Sequence, residues 1–260
     1  MKSTYIQSLK SAVLGLLLCG SLAPQCLLAA DNPRNVLFIG VDVSGSFING
    51  KYYEDSIQFI ATYLYSHLRG LGGLEVPKDL FVGTIGGAKP NEPKTFYPIQ
   101  SFQDKSVTEL ITLLHEIFPQ KKQNKFTDFN AYFEQVFETV RNRKLILRPI
   151  SIVLFSDGIP DAPLKRGGTQ TYGDINVNPL ENLSRNITIR LLYTDAVTGQ
   201  KWQNLVKRRR VKLWTQDAAV MVFWKDPKIF HEGMDVAKQD KFFSWVKDNV
   251  DFGVRGRTVP

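Results

Sequence analysis

Short runs of apolar residues alternate along the chain with longer segments in which apolar residues recur every three or four positions. Continuous runs are typical of strands buried on both faces of a sheet, whereas the wider spacing is typical of amphipathic helices. The runs predict strands at 36–41, 80–85, 95–99, 150–155, 187–193 and 220–224. The wider spacing predicts helices at 53–68, 107–114, 128–143, 202–209 and 236–252. This alternation predicts one α/β domain with a mostly parallel sheet and helices on both faces.

Two connections in this pattern differ from the others. Residues 86–93 are rich in Gly and Pro, so we expect a hairpin that places strand 95–99 antiparallel at the edge of the sheet. Residues 159–178 are rich in Pro, Gly, Asn and Thr and show no apolar periodicity. Because this segment is longer than most connections in α/β domains, we expect an irregular and partly mobile loop.

The first thirty residues have the composition of a secretory signal peptide. Lys2 and Lys10 precede an apolar stretch at 12–19, and small residues close the segment at Ala30. The stretch is shorter than the roughly 20 residues of a membrane-spanning helix. We therefore predict a signal peptide at 1–30, a folded domain at 31–260 and no transmembrane helix after cleavage.

Both cysteines of the chain, Cys19 and Cys26, lie inside this predicted leader. The domain that follows it therefore contains no disulfide bond. A lipoprotein anchor on one of these cysteines is disfavoured, because Leu and Gln precede them where lipoprotein processing prefers a small residue. An exported domain without disulfides favours a bacterial envelope protein, either periplasmic or secreted.

The chain is basic, with 33 Lys and Arg against 25 Asp and Glu and a formal charge of +8. Such a balance favours an acidic partner, an anionic membrane surface or nucleic acid. The dense run Lys207–Arg210 falls at the end of the predicted helix 202–209, where basic residues complement the helix dipole. No aromatic stacking platform accompanies it, so we expect no nucleic-acid partner.

Oxygen-bearing side chains follow two apolar strands and precede one helix. Asp42, Ser44 and Ser46 lie on the turn after the first strand, Thr127 precedes helix 128–143, and Asp157 follows strand 150–155. Taken singly, each has an ordinary explanation as a helix cap or a turn residue. Together they would meet at the carboxyl edge of the sheet, where α/β proteins bind ligands. Oxygen ligands of this kind suit a hard divalent cation.

These motifs resemble the metal-ion-dependent adhesion site (MIDAS) of the von Willebrand factor type A (vWA) domain. Asp42-Val43-Ser44-Gly45-Ser46 is similar to the Asp-x-Ser-x-Ser signature of the family, Thr127 to its isolated threonine, and Phe155-Ser156-Asp157-Gly158 to its strand-end Asp-Gly. The resemblance extends from Val36 to Phe252. It implies a three-layer Rossmann-like fold with one antiparallel edge strand. Where the family often has glycine before the threonine, this chain has Phe126.

The resemblance also implies a function. Ser44, Ser46 and Thr127 would contact Mg²⁺ or Mn²⁺, and Asp42 and Asp157 would hold the ion directly or through water. Two carboxylates leave such an ion incompletely neutralised, so it would attract an exposed Asp or Glu of a protein partner. The implied protein is an extracytoplasmic binding module and not an enzyme.

Two other functions remain open at this point. A metallohydrolase of the alkaline phosphatase or sulfatase type has a similar first strand, but it needs further Asp and His ligands. His67, His115 and His231 show no paired ligand spacing, and we interpret them as structural or solvated. The other alternative is a vWA scaffold that has lost its ion. Asp128 and Asp195 lie near the same edge and are left out of the predicted site.

Overall fold

The computed structural model describes residues 35–251 except 88, 90–91, 93–94, 122–124 and 165–166. The predicted signal peptide at 1–30 lies outside the described residues. The described residues fall within one compact unit, Pro33–Pro260. None of the helices in the described part of the chain has the length and apolar character needed to cross a bilayer.

Within the described residues, six strands form a single sheet in the order β3-β2-β1-β4-β5-β6. The edge strand β3 is antiparallel to β2, and every other neighbouring pair is parallel. The predicted mostly parallel sheet with one antiparallel edge strand is therefore confirmed. The strands are β1 (Val36–Asp42), β2 (Asp79–Ile85), β3 (Phe96–Pro98), β4 (Ile150–Phe155), β5 (Ile187–Thr194) and β6 (Lys212–Asp217).

Helices cover both faces of this sheet, and its central strands β1, β4 and β5 are buried along their whole length. Successive residues of β1 alternate between two apolar cores: Leu37 and Ile39 face one, Val36 and Phe38 the other. The helices are α1 (Gly45–Ile48), α2 (Tyr53–Leu68), α3 (Val107–Ile117), α4 (Phe129–Asn142), α5 (Asn178–Glu181), α6 (Ala196–Leu205), α7 (Ala218–Met221) and α8 (Asp240–Asn249).

The predicted last strand at 220–224 is wrong. The chain forms β6 earlier, and the apolar run is helical, with α7 followed by a 3₁₀ turn at Val222–Lys225. The physical reason is the spacing of the buried side chains, since Met221 and Trp224 lie three residues apart and both enter the core. As an edge strand, β6 is mostly half-buried or exposed, so it lacks a continuous apolar run.

Two helix predictions also differ from the structure. The predicted helix 202–209 begins earlier, at Ala196, because the side chain of Asp195 caps its first turn and accepts hydrogen bonds from the amides of Val197 and Thr198. It ends at Leu205, so the basic run Lys207–Arg210 lies beyond the helix and not in its last turn. The predicted terminal helix is split into a 3₁₀ turn at Val236–Lys238 and α8, and residue 252 lies outside the described residues.

Candidate metal site

The first part of the site is the turn that follows β1. The amide of Ser44 donates to Asp42 Oδ1 at 2.8 Å, and this bond folds the turn back on the end of the strand. Helix α1 begins at the next residue, Gly45, and carries Ser46 in its first turn. The hydroxyl oxygens of Ser44 and Ser46 lie 3.1 Å apart. The predicted Asp-x-Ser-x-Ser residues therefore lie together.

The second part is the end of β4, which runs parallel to β1 and stops beside it. The hydroxyl of Ser156 donates to Asp42 Oδ2 at 2.6 Å and accepts a hydrogen bond from the Gly158 amide at 2.9 Å. Asp157 accepts from the Ile159 amide at 3.1 Å and is also hydrogen-bonded by the Ser46 side chain. These bonds join the two strand ends into one cluster.

Gly158 sets the direction in which the chain leaves this cluster. Its φ is +79°, and a Cβ atom there would lie 2.9 Å from Leu191 Cδ2. Its carbonyl accepts a hydrogen bond of 2.7 Å from the indole of the buried Trp202. The turn therefore needs glycine both for its backbone conformation and for the space around it.

Thr127 reaches the same edge by a different route. Its neighbour Phe126 pairs with Gly87, just beyond the end of β2, and Gly86 lies so close to the Phe126 carbonyl that only a glycine fits. The Thr127 amide donates to the carboxylate of Asp161, and the Asp161 amide donates back to the Thr127 carbonyl at 3.4 Å. Thr127 is thus fixed to the loop that follows Asp157, and its side chain is buried.

The carboxylates of the site carry charge at an energetic cost. Burial and then the nearby charge of Asp157 raise the pKa of Asp42 to about 7, although hydrogen bonds from Ser156 and Ser44 oppose this. Burial is also the main cause that raises the pKa of Asp157, and the charges of Asp161 and Asp195 add to it. A bound cation would relieve both carboxylates, since opposite charge favours the ionised form.

The donor set fits a hard divalent ion. Four of the five predicted residues, Asp42, Ser44, Ser46 and Asp157, are connected by hydrogen bonds. No hydrogen bond between described residues joins Thr127 to these four, and Thr127 is linked to the loop after Asp157 through its bonds with Asp161. In the described part of the chain, no three His, Cys, Asp or Glu side chains form a metal-binding group. Any metal ion at this edge would therefore depend on the hydroxyl oxygens as well as on the carboxylates.

Sequence reasoning missed two residues that organise the site. Ser156 could have been found, because it directly precedes Asp157 and ends a buried strand. Asp161 left no signal in the sequence, since its contact with Thr127 depends on how an irregular loop folds. Asp128 and Asp195, which the predicted site does not include, are each the N-cap of a helix.

The three histidines do not enter this cluster. His67 Nδ1 lies 2.8 Å from the carbonyl oxygen of Glu75, and its Nε2 lies 3.3 Å from Asp251. His115 lies beside Glu54 with a separation of 3.5 Å. The backbone of His231 is hydrogen-bonded to the side chain of Gln239. These are structural contacts, as expected from the sequence.

Comparison with known proteins gave matches only among solved structures. No protein-family model matches the chain, and no curated protein matches it. A pilus adhesin, SpaC from Lactobacillus rhamnosus GG in an open conformation, is 13% identical, with a TM-score of 0.46 over 74% of this chain and 28% of that chain. Manganese-loaded TRAP protein of Plasmodium vivax is 15% identical, with a TM-score of 0.45 over 73% and 72%.

A third structure is proximal thread matrix protein 1 of the mussel byssus with a zinc-occupied MIDAS motif. It is 11% identical, with a TM-score of 0.43 over 82% of this chain and 46% of that chain. The chain thus spans less than half of the adhesin and of the byssus protein. Such distant similarity carries no argument about function. The strand order, the antiparallel edge strand and the helices on both faces give the chain a vWA-like α/β fold.

Proposed function

We propose that this chain is a protein-binding module that captures an acidic residue of a partner through a divalent cation. Asp42, Ser44, Ser46, Thr127 and Asp157 would hold Mg²⁺ or Mn²⁺, and the ion would supply an open coordination position for a carboxylate oxygen. The observation that carries the proposal is the hydrogen-bonded convergence of Asp42, Ser44, Ser46 and Asp157 at one sheet edge.

The charge balance of the cluster supports binding of an anionic group. The two proposed carboxylate ligands can at most neutralise a divalent ion, and Asp42 already shares its charge with the hydroxyl of Ser156 and the amide of Ser44. The hydroxyl ligands add no charge. The attraction of an acidic side chain would therefore depend on an open coordination position on the ion, because the charges of Asp161 and Asp195 near Asp157 act against a further anion.

The side chains at this edge support binding more than hydrolysis. The imidazoles of His67 and His115 contact groups outside the cluster, and the backbone of His231 is bonded to Gln239, so none of these contacts places a histidine beside the cluster as a general base. Ser44 and Ser46 contact each other and the two carboxylates, which suits metal ligation better than nucleophilic attack. We place the protein outside the cytoplasm, in the bacterial envelope or secreted, on the basis of the leader predicted at 1–30.

The decisive experiment measures metal-induced stabilisation and partner capture in the same variants. Wild type, Asp157→Asn and the control Asp79→Asn would be melted in chelator and then with Mg²⁺ or Mn²⁺. Asp79 begins β2 at the opposite end of the sheet, so its substitution removes an equal charge far from the site. An ion at a hundred times its Kd stabilises a protein by about 2.7 kcal/mol, which is readily measured.

We expect the ions to stabilise wild type and Asp79→Asn but not Asp157→Asn. Affinity capture from the native envelope should recover a partner only with the two responsive proteins and only without chelator. Equal stabilisation of Asp157→Asn would remove the metal site from the proposal. Chelator-resistant capture by all three proteins would instead support a scaffold without a functional ion.

A further inference from the structure

Three loops meet at the amino-terminal edge of the sheet, opposite the candidate metal site. They are residues 143–148 before β4, 181–186 before β5 and 207–212 at the start of β6. The Leu147 amide donates to the Leu183 carbonyl at 2.8 Å, which joins the first loop to the second. Glu181 accepts hydrogen bonds from the amides of Arg209 and Arg210 at 2.7 and 2.8 Å, which joins the second to the third. We call these three loops the basic edge.

The basic edge carries a strong excess of positive charge. Lysines and arginines number three in the first loop, one in the second and five in the third, against one acidic residue. That acid, Glu181, is buried, and its two oxygens accept bonds from backbone amides, so it does not pair with the cationic side chains through those bonds. The exposed cations include Arg143, Lys144, Arg185, Lys207, Arg209 and Arg210.

Two large aliphatic side chains project from the middle of this charge. Leu147 is 80% exposed and Ile146 is 47% exposed. Leu147 also has a φ of +71°, a conformation that L residues with branched side chains rarely adopt. Its backbone hydrogen bond to Leu183 holds it there. Glycine would adopt this positive φ without strain. A solvent-exposed leucine in its place therefore suggests that the side chain has a function.

We propose that the basic edge docks on a membrane surface of anionic lipids, with Ile146 and Leu147 inserted among the lipids. Cationic side chains around exposed aliphatic ones are the combination that binds such surfaces, because charge attracts the protein and apolar insertion retains it. This docking does not depend on the proposed metal site. It would direct the carboxyl edge of the sheet, and any partner held there, away from the membrane.

The same loops fit other anionic partners less well. Single-stranded nucleic acid is bound by aromatic side chains between the basic ones, and these three loops contain no aromatic residue. Double-stranded nucleic acid would be contacted by the cations alone, which leaves the exposure of Leu147 unexplained. An acidic protein surface would likewise need an apolar pocket to receive this side chain.

The test measures binding of the purified, exported protein to vesicles by co-sedimentation. The vesicles contain either phosphatidylcholine alone or phosphatidylcholine with about one-third phosphatidylglycerol. The charge variant is Lys207→Gln, Arg209→Gln and Arg210→Gln combined, and its matched control is Lys51→Gln, Lys201→Gln and Lys241→Gln combined. All six of these residues are exposed, and the control set lies outside the basic edge.

The apolar variants are Leu147→Gly and Ile146→Ser. Leu147→Gly removes the exposed side chain and relieves the positive φ, so it should bind more weakly without melting at a lower temperature. Ile159→Ser is the control for Ile146→Ser, because both isoleucines are 47% exposed and Ile159 lies at the opposite edge. Melting curves of all variants separate lost binding from lost folding.

We expect wild type to bind the anionic vesicles and not the neutral ones, and to bind more weakly as salt is raised. The charge variant should bind more weakly than wild type by about fivefold for each of its three neutralised cations, and Leu147→Gly should bind about tenfold more weakly. The triple lysine control and Ile159→Ser should bind like wild type. Binding that survives Leu147→Gly and Ile146→Ser but fails in the charge variant would show attraction by charge alone, without insertion of Ile146 and Leu147, and would overturn the proposal. Equal binding by all variants would also overturn it.

Discussion

The hydroxyl of Ser156 donates to Asp42 across the boundary between β4 and β1, with 2.6 Å between Oγ and Oδ2. This bond joins residues that are 114 positions apart and fixes the end of one strand against the end of the other. It supports the negative charge of Asp42, but burial and the charge of Asp157 outweigh it and leave the pKa at about 7. Asp42 is thus a carboxylate that is costly to ionise unless a cation lies beside it.

Asp42→Asn should stabilise the ion-free protein at pH 8. The folded-state pKa of Asp42 is raised from 3.8 to about 7, so the folded protein holds a proton that the unfolded chain has already lost. The free energy of unfolding therefore falls as the pH rises through this window and stays lower above it. Asparagine removes this cost, which is at most about 4 kcal/mol. Urea unfolding in chelator at pH 8 measures the gain.

Saturating Mg²⁺ should reverse this order of stability, because the wild-type carboxylate attracts the ion with a negative charge that asparagine lacks. Asp79→Asn, at the other end of β2, controls for the loss of one negative charge and should leave the order unchanged. A destabilised Asp42→Asn in chelator would mean that the Ser156 bond contributes more than the buried charge costs.

Asp161→Ala should weaken metal-induced stabilisation, whereas Asp161→Asn should largely preserve it. The carboxylate accepts a hydrogen bond from the Thr127 amide, and an asparagine carbonyl oxygen can accept the same bond. Alanine leaves that amide without its acceptor and frees the threonine turn to shift, at a cost of about 1–3 kcal/mol. Ion titrations followed by thermal melting compare the two variants. Equally weakened responses of both variants would show that the charge of Asp161, and not its position as an acceptor, affects the site. Two wild-type responses would show that the contact with Thr127 does not affect it.

The positions of β1, β2, β4 and β5 along the chain, and the strand ends where ligands gather, were predictable because buried parallel strands are continuous apolar runs. Val36–Asp42 and Ile150–Phe155 deliver their polar residues to one edge as a consequence of being parallel neighbours. The edge strand β6 was not predictable, because a partly exposed strand has no such run, whereas the apolar run at Val220–Trp224 buries residues at helical spacing.

The contacts that complete the site join residues far apart in the sequence, so the local spacing of apolar and polar residues does not predict them. Asp161 lies in a segment without periodicity, and only its folded position shows that it fixes Thr127. The sequence predicts an irregular loop at 159–178, and the structure shows within it a bridge between Pro163 and Thr169 and a 3₁₀ turn at Tyr172–Asp174. Such short elements arise from side-chain caps and packing more than from propensity.

Gly158→Ala should destabilise the protein more than Gly167→Ala, although both glycines have a positive φ. The φ is +79° at Gly158 and +88° at Gly167, so each alanine incurs a backbone cost of about 1 kcal/mol. At Gly158 the new Cβ would also meet Leu191, Thr198 and Thr194 at 2.9 to 3.1 Å, whereas at Gly167 no atom of the described residues lies within 4 Å. Chemical denaturation should therefore give an additional loss of about 1–3 kcal/mol at Gly158. Equal losses would show that the packing around Gly158 yields without cost.

Asp251→Asn should flatten the acid end of the stability profile. Burial alone would raise the pKa of Asp251, but the hydrogen bond and charge of His67, the charge of Arg190 and the hydroxyl of Tyr63 outweigh burial and hold the pKa below its usual value. The unfolded chain therefore takes up this proton at a higher pH than the folded protein does. The stability that the carboxylate contributes is complete above about pH 4 and is lost as the pH falls through the lowered folded pKa.

The Asp251→Asn variant should be less stable than wild type near neutrality, because Arg190 is buried and Asp251 Oδ1 lies 4.0 Å from its Nε. The variant should also lose less stability than wild type between about pH 4 and pH 2. Urea midpoints measured across that range compare the slopes, and parallel profiles for the two proteins would contradict the assigned role of Asp251.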